Sequence, residues 1–346
     1  MARPRSAHAT VRDIAAETGV SIATVSRVLN DRDNVAAGTR DLVLRAADRL
    51  GLPRQVPVVG RRGAATAGGA VFVRCPYLLT DYFGLIVSSI AETLELHGRR
   101  MVLNAGEAAQ RAMVLGGLAD QRGLAGGILI LPPESGDELV ALQARGFPFV
   151  VVDPRTQPPR DLAAVSAAHF AGARRLTGHL VGLGHRRIGV IGGPVEWLAS
   201  DARLAGHTAA LADVGVLPSA ELLRSVEPTA EHGYLAAGEL LDLPVRPTAL
   251  VGFNDKVAVG ALRAAVERGL RVPADLSIAG FDDIDLSRAT TPMLTTVRQP
   301  LLELGRMAVT LLMRLIERHE LEALHIELAT ELVVRASTGP APATGR

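Results

Sequence analysis

The sequence predicts an α/β protein in which a small N-terminal unit of three helices precedes a larger core of parallel β-sheets wrapped by helices. Three observations predict this fold. Helix caps and helical spacing of apolar residues mark the first fifty residues, a glycine- and proline-rich stretch follows, and short apolar runs then alternate with helix-length segments. With 346 residues, 48% of them hydrophobic and 21% charged, the chain can form two or three packed domains.

The N-terminal unit has the order helix, glycine turn, helix, which is typical of a helix-turn-helix. Thr10 can cap the first helix, and Gly19 can take the positive φ of the turn that ends it. Ala15 is small enough to let the first two helices cross closely. Ser21 can cap the second helix, and a third is predicted over residues 39–50.

The second helix has an inner and an outer face. Val25 and Val28 fill the angle between the helices, which leaves Ile22, Ala23 and Arg27 outward. An outward arginine can offer two donors to O6 and N7 of a guanine in the major groove. The alternative is a small helical hairpin with no role in DNA binding.

The charge of the chain is unevenly divided. Residues 1–62 hold eleven arginines and six acidic residues, a net charge of +5. Because the whole chain has a formal net charge of +1, the remainder carries −4. A basic N-terminal part on an acidic body favours DNA binding over the hairpin alternative.

Residues 51–69 have the composition of a linker, and the chain beyond them alternates between strands and helices. Apolar runs separated by helix-length segments predict parallel sheets with helices on their faces, and about 270 residues leave room for two such lobes. The predicted strands lie in the runs 70–73, 100–103, 126–131, 149–152, 188–191, 249–253 and 276–281.

Composition and motifs exclude several classes of protein. The single cysteine, Cys75, excludes an internal disulfide framework and a multi-cysteine metal site. We see no secretory signal and no apolar run long enough to cross a bilayer, so we expect a cytoplasmic protein without a membrane partner. Nucleophile, metal and phosphate-loop motifs are missing, so we expect neither an enzyme nor a cofactor.

The sequence resembles the LacI/GalR family of bacterial repressors over nearly its whole length. The resemblance begins in the helix-turn-helix, with residues 10–15 and 19–30. Five later segments agree with the family in order and spacing: residues 183–188, 203–206, 253–255, 272–283 and 292–299.

The resemblance implies a helix-turn-helix headpiece and a two-lobed core like that of periplasmic binding proteins, with an effector cleft between the lobes. It also implies a homodimer that binds an inverted-repeat operator in double-stranded DNA. The implied base-reading residues are Ile22, Ala23 and Arg27, and the implied phosphate-binding residues are Thr10, Ser21, Asn30 and Thr39.

We expect the following boundaries. The headpiece covers 1–52, the linker 53–69, the core 70–337 and a disordered tail 338–346. Within the core, the N-terminal lobe covers about 70–164 and 296–325, and the C-terminal lobe about 165–293 and 326–337.

The predicted effector site consists of polar residues that follow strands, together with one arginine and nearby aromatic rings. Polar groups just past the carboxyl ends of parallel strands are where open α/β sheets bind ligands. Arg203 is a forked donor for a hydroxyl, carbonyl or carboxylate of the ligand. Of the adjacent acids 282 and 283, we expect one ligand group and one cap. The predicted effector-binding residues are Tyr82, Phe83, Asp153, Trp197, Arg203, Asn254 and Asp282.

The sequence departs from the family in the linker and in the pocket. Pro57 would interrupt the hinge helix that the family has here, so either that helix is absent or Val58 or Val59 replaces its usual leucine. Ala167 and Ala168 stand where many members have Asp-Asn. These changes weaken the assignment of any specific sugar. The carboxylates, amide and arginine of the cleft still favour a sugar-like effector, with a nucleobase, an amino acid derivative or a sugar phosphate as alternatives.

We interpret the chain as a ligand-responsive transcriptional regulator, most simply a repressor. Two rival classes are a sugar-binding transport protein and a lobed α/β enzyme. The headpiece with Arg27 opposes the first, and the lack of a nucleophile or cofactor loop opposes the second.

Overall fold

The computed structural model describes residues 11–21, 24–25, 28, 37–49, 69–110, 114–319, 321 and 323–342. The chain divides between residues 65 and 66 into two compact units. The first contains helices α1 (Val11–Thr18) and α2 (Ala37–Arg49). Gly19 has a φ of +68° and its N–H donates to the carbonyl of Ala15, so the predicted glycine turn does end α1. A small buried core consists of Ile14, Val25, Val28, Val43 and Ala46.

The second unit alternates strands and helices along the chain. Its strands are β1 (Ala70–Cys75), β2 (Met101–Ala105), β3 (Leu124–Ile130), β4 (Phe149–Val152), β5 (Ala164–Ala167), β6 (Ile188–Gly192), β7 (Leu223–Ser225), β8 (Ala249–Gly252), β9 (Ser277–Ala279), β10 (Thr296–Arg298), β11 (His325–Leu328) and β12 (Glu331–Val333). Its α-helices are α3 (Asp81–Leu96), α4 (Glu107–Gln110), α5 (Leu115–Leu118), α6 (Gly136–Ala144), α7 (His169–Gly182), α8 (Leu198–Ala212), α9 (Ala230–Leu241), α10 (Asp255–Glu267) and α11 (Leu301–Ile316).

Two parallel sheets form two lobes within this unit. The N-terminal lobe has the strand order β11-β5-β4-β3-β1-β2, and α3 and α11 pack together against one face. The C-terminal lobe has the order β7-β6-β8-β9, with α7 on one face and α9 and α10 on the other. A short antiparallel pair, β10 with β12, lies in the segments that connect the lobes. The predicted parallel-sheet core is confirmed.

Strand pairing divides the lobes at slightly different residues from those we expected. β5 and β11 both pair in the N-terminal sheet, so residues 165–167 and 326–328 belong there rather than in the C-terminal lobe. Val297 of β10 packs in the core of the C-terminal lobe, on the other side of the boundary that we placed at residue 296. The apolar pattern of a short strand does not say which sheet accepts it, because its partner lies far away in the sequence.

The expected disordered tail is wrong for residues 338–342. Thr338 hydrogen-bonds His179, the carbonyl of Gly339 lies 3.0 Å from Nε2 of buried His185, and the N–H of Ala341 donates to the carbonyl of Leu183. These bonds fix the segment on the C-terminal lobe. Residues 343–346 lie outside the described residues, as does the linker except for Gly69.

None of the helices in the described parts of the chain combines the length and the apolar character that crossing a membrane requires.

Close helix pairs shape the C-terminal lobe. A Cβ at Gly206 of α8 would collide with the carbonyl oxygen of Phe170 and lie 2.9 Å from the backbone nitrogen of Arg174, both in α7. Only glycine therefore permits this crossing. Because α7 and α8 carry His169 and Arg203 at the cleft described below, their spacing also positions the site.

We expect Gly206→Ala to destabilise the protein and Gly178→Ala to stabilise it. The first change overpacks the helix crossing, which costs about 1–3 kcal/mol. The second lies on the exposed side of α7 with no atom within 4 Å of the new methyl, and alanine there gains up to about 1 kcal/mol in helix propensity. Thermal unfolding of both variants checks this. An unchanged midpoint for Gly206→Ala would contradict the close crossing.

Candidate functional site

A cavity of about 390 Å³ lies between the two lobes, at the carboxyl ends of their strands. It is lined by all seven of the predicted residues: Tyr82, Phe83, Asp153, Trp197, Arg203, Asn254 and Asp282. The parallel order of both sheets explains this, because strand ends that are distant in sequence meet at one edge.

Arg203 extends from α8 to the base of the cavity and is 6% exposed. Its guanidinium lies between the rings of Phe281, at 3.8 Å from the ring centroid, and Phe253, at 4.3 Å. Nη1 donates to the carbonyl of Phe253, while Nε and Nη2 lie 3.4 and 3.3 Å from Nδ1 of His169. The nearest carboxylate, that of Asp282, is 3.8 Å from Nη2 and so beyond hydrogen-bond distance. Arg203 therefore has donor capacity left for a ligand.

Asp153 uses both of its carboxylate oxygens within the protein. Oδ2 accepts a 2.5 Å hydrogen bond from the hydroxyl of Tyr82, and Oδ1 lies 2.9 Å from Nε2 of His169. Burial alone would raise the pKa of Asp153, but these two partners and the charge of Arg203 hold that pKa below its usual value. Burial and the adjacent Asp153 raise the pKa of Tyr82 well above its usual value, so the phenol stays protonated as the donor.

Asp282 is a carboxylate at the cavity with an oxygen left for a ligand. Its Oδ1 accepts a 2.7 Å hydrogen bond from Nε2 of Gln299, and no donor among the described residues reaches its Oδ2. Burial raises the pKa of Asp282 to about 6, and the charge of Asp153 adds to this, while Arg203 and Gln299 oppose it. A φ of +115° holds the residue in a strained backbone conformation.

The adjacent acid, Asp283, is part of an ion cluster. Its side chain is fully buried and lies against Arg335, against Arg298 at 2.7 Å and against Arg288 at 3.3 Å. Burial opposes ionisation, but the hydrogen bonds and charges of Arg335 and Arg298 lower the pKa of Asp283 below its usual value. The two neighbouring carboxylates thus have opposite environments.

Asn254 and the aromatic residues make more contacts within the protein than the sequence indicated. Oδ1 of Asn254 caps α10 by accepting from the N–H of Val257 at 2.9 Å. Its amide nitrogen makes a long, 3.5 Å hydrogen bond to the carbonyl of Pro228, which leaves its second N–H for the cavity. Phe83 stacks on Tyr77 at a centroid distance of 4.6 Å. Trp197 has the ring of Phe253 edge-on at 6.0 Å and the guanidinium of Arg155 5.5 Å from its own ring centroid.

Sequence reasoning missed several residues of the site. His169 begins α7 one residue after β5 ends, and β5 was not among the predicted strands, so the strand-end rule that selected Asp153 did not reach it. Lys256, the only lysine of the chain, donates a 3.2 Å hydrogen bond from Nζ to the hydroxyl of Thr80 on the opposite lobe. Arg155 and Gln299 had no local signal, because their places depend on loop paths.

The predicted DNA-contacting residues are only partly described. Oγ of exposed Ser21 accepts a 3.2 Å hydrogen bond from the N–H of Thr24, which is the predicted cap geometry. Thr39 is half-buried in α2. The remaining members lie outside the described residues: Thr10, Ile22, Ala23, Arg27 and Asn30.

Comparison with known proteins places both parts of the chain. Residues 10–53 match the family described as bacterial regulatory proteins, lacI family, and residues 177–338 match the periplasmic binding protein-like domain. The HTH-type transcriptional repressor CytR of Escherichia coli (strain K12) is 33% identical over 348 residues, with 99% of each chain covered.

Two solved structures are similar over nearly their whole length. A lac repressor dimer bound to operator and the anti-inducer ONPF is 31% identical, with a TM-score of 0.71 and coverage of 96% of this chain and 99% of that one. A transcriptional regulator CelR–cellobiose complex is 29% identical, with a TM-score of 0.71 and coverage of 95% and 100%.

A helix-turn-helix unit joined to a two-lobed core with a ligand cleft defines a DNA-binding transcriptional regulator that responds to a small molecule. The chain belongs to the lacI family of bacterial regulatory proteins. The predicted resemblance, fold class and general function are confirmed.

We expect replacement of the two neighbouring acids by asparagine to have opposite pH dependences. Because the pKa of Asp282 is raised in the folded state, the free energy of unfolding of the parent falls as the pH rises from about 4 through about 6. Asp282→Asn has no such loss, so its stability relative to the parent increases over that pH range. The lowered pKa of Asp283 contributes stability that is present above its usual pKa and lost on acidification, so Asp283→Asn costs most near neutral pH.

Thermal unfolding of the three proteins at about pH 4 and about pH 7 checks the signs. If the unfolding midpoints of both variants changed with pH in the same direction relative to the parent, the two carboxyl groups would share one environment, which would contradict their different contacts.

Proposed function

We propose that this protein is a repressor that binds an inverted-repeat operator as a homodimer and responds to a small polar effector in the interlobe cleft. The proposed boundaries are a headpiece over 1–52, a linker over 53–69 and an effector-binding and dimerising core that begins at residue 70. A regulator that acts on operator DNA works where the DNA is, which supports a cytoplasmic location.

One observation carries the effector part of the proposal. At the base of the cleft, Arg203 has unused donors and Asp282 has an unused acceptor oxygen, Oδ2. The two side chains are neighbours, since Nη2 of Arg203 lies 3.8 Å from Oδ1, the other oxygen of Asp282. A donor fork beside an acceptor suits a molecule with neighbouring hydroxyl groups, each of which donates and accepts. The aromatic rings above them suit the apolar face of a sugar ring.

The proposed effector residues divide into two groups. Arg203, Asp282 and the amide nitrogen of Asn254 contact the effector's polar groups, and the rings of Phe83 and Trp197 contact its apolar face. Tyr82 and Asp153 complete the pocket and hold each other in place. The relatives described above are transcriptional regulators, and we propose that the pocket of this chain binds its ligand without transforming it.

We expect effector binding to change the closure of the lobes and, through closure, the affinity for the operator. A ligand shifts such an equilibrium only by its difference in affinity for the two states. An effector that prefers the operator-binding closure acts as a corepressor, and one that prefers the other acts as an inducer.

We expect Arg27→Ala to abolish preference for the operator over unrelated DNA, because it removes a base-reading group. The expected loss is about 1–3 kcal/mol for each half-site contact. Arg45→Ala is the matched control, since it removes one exposed positive charge from α2 and should lower the affinity for both DNAs equally. Fluorescence anisotropy with operator and scrambled duplexes at several salt concentrations measures both effects. Equal losses on the two duplexes for Arg27→Ala would contradict the base-reading role.

A thermal-shift screen tests the cleft with mono- and disaccharides, sugar phosphates, nucleosides and amino acids. We expect the largest stabilisation from a neutral sugar, and we expect Asp282→Ala to remove it because the acceptor is lost. Asp275→Ala is the control, because Asp275 pairs with Arg271 on the surface away from the cleft. A hit whose shift survives in Asp282→Ala binds elsewhere and overturns the assigned site. A nucleoside or amino acid hit that depends on Asp282 would keep the site and change the ligand class.

A further inference from the structure

We propose that His169 is a positioning residue that ties Arg203 of the C-terminal lobe to Asp153 of the N-terminal lobe and so sets how firmly the lobes hold together around the cleft. The inference rests on the proposed function, because it assigns the control of lobe closure in that same site. His169 is not one of the predicted effector-binding residues.

A continuous network of buried polar groups crosses the boundary between the lobes. Tyr82 of α3 donates to Asp153, which follows β4, and both belong to the N-terminal lobe. His169, 7% exposed at the start of α7, contacts Asp153 through Nε2 and Arg203 through Nδ1. The imidazole ring of His169 therefore connects the polar groups of the N-terminal lobe with those of the C-terminal lobe.

The donors and acceptors in this network determine which nitrogen of the His169 ring carries the hydrogen. A guanidinium has no acceptor, so Nδ1 of His169 must accept from Arg203 and Nε2 must carry the hydrogen that goes to Asp153. The position therefore needs one group that accepts on one side and donates on the other. A carboxylate would face Asp153 with like charge, and a lysine or arginine could not accept from Arg203. A neutral imidazole meets both needs, and among other side chains the amide of glutamine comes closest.

Loss of the ring would leave groups of opposite charge without their partner on each side of the boundary. Asp153 would keep only its hydrogen bond from Tyr82. Arg203 would keep its two aromatic neighbours, but its hydrogen-bond acceptors among the described residues would be reduced to the carbonyl of Phe253, with Asp282 at 3.8 Å. Buried charged groups without hydrogen bonds favour any state that lets water reach them. Opening of the cleft is the motion that hydrates both.

The protein has a built-in reporter of that opening. Trp197 is its only tryptophan and precedes α8 at the edge of the cleft. On one side it faces Arg155 of the N-terminal lobe, and the next residue, Leu198, donates its N–H to the carbonyl of Arg155 at 2.7 Å. When the lobes separate, the indole loses this cover, and a soluble quencher reaches it more easily.

The test is acrylamide quenching of Trp197 in the full-length protein without ligand, at a temperature well below unfolding. We expect His169→Leu to raise the quenching constant about twofold or more, because local opening becomes more frequent. We expect His169→Gln to stay near the parent value, since its amide keeps a donor and an acceptor. If His169→Leu does not fold, His169→Asn serves instead. It is polar but too short to bridge Asp153 and Arg203, and it should give the same rise.

The matched control is His207→Leu. His207 is also buried in α8 and hydrogen-bonds Thr177 of α7, but both helices belong to the C-terminal lobe. Its replacement should lower the unfolding temperature and leave the quenching constant unchanged. A quenching constant for His169→Leu equal to that of the parent or of His207→Leu overturns the inference. An increase for His169→Gln as large as for His169→Leu also overturns it, because the donor and acceptor pattern would then not matter.

Operator binding by the same proteins separates this inference from the proposed function. If the parent fails to prefer the operator over scrambled DNA, the proposed function is wrong, while the quenching result still reports the coupling of the lobes. If the parent prefers the operator but quenching does not respond to His169, only the coupling role is wrong.

Discussion

A positively charged guanidinium buried where two lobes meet has to be compensated by both of them, and much of the core follows from that requirement for Arg203. The C-terminal lobe supplies two aromatic faces and a carbonyl oxygen. The N-terminal lobe supplies the charge of Asp153 through His169, and Asp282 lies near the point where the chain crosses between lobes. The ion pairing of Arg203 is incomplete, and this leaves N–H donors that a ligand can use; a guanidinium fully paired within the protein would have none left.

The same site shows how a fold made of close helix packing can still open. The glycine at Gly206 lets α7 and α8 pack with their backbones in close contact within the C-terminal lobe. Between the lobes, by contrast, the contacts described above are mostly polar, such as the hydrogen bonds from Lys256 to Thr80 and from the N–H of Leu198 to the carbonyl of Arg155. The tightest packing is therefore within each lobe, and a ligand that contacts both lobes can stabilise the boundary between them.

Much of this arrangement could be predicted from the sequence where a local rule was enough. Parallel strands align their carboxyl ends, so polar residues after three separate runs, Asp153, Asn254 and Asp282, were expected in one place and all line the cavity. Their individual roles could not be predicted, because the partners that occupy Asp153 and Asn254 come from other loops. The sheet to which β5 and β11 belong and the docking of residues 338–342 likewise depend on contacts between distant segments.

The position of the chain's one lysine has a consequence for anyone who handles the protein. Apart from the terminal amine, Lys256 is the only primary amine, and it lines the cleft between the lobes. Amine-reactive dyes, cross-linkers and coupling resins that modify side chains would all act at the mouth of the ligand pocket. Such reagents would block the cleft itself, whereas arginine side chains elsewhere on the protein would not react.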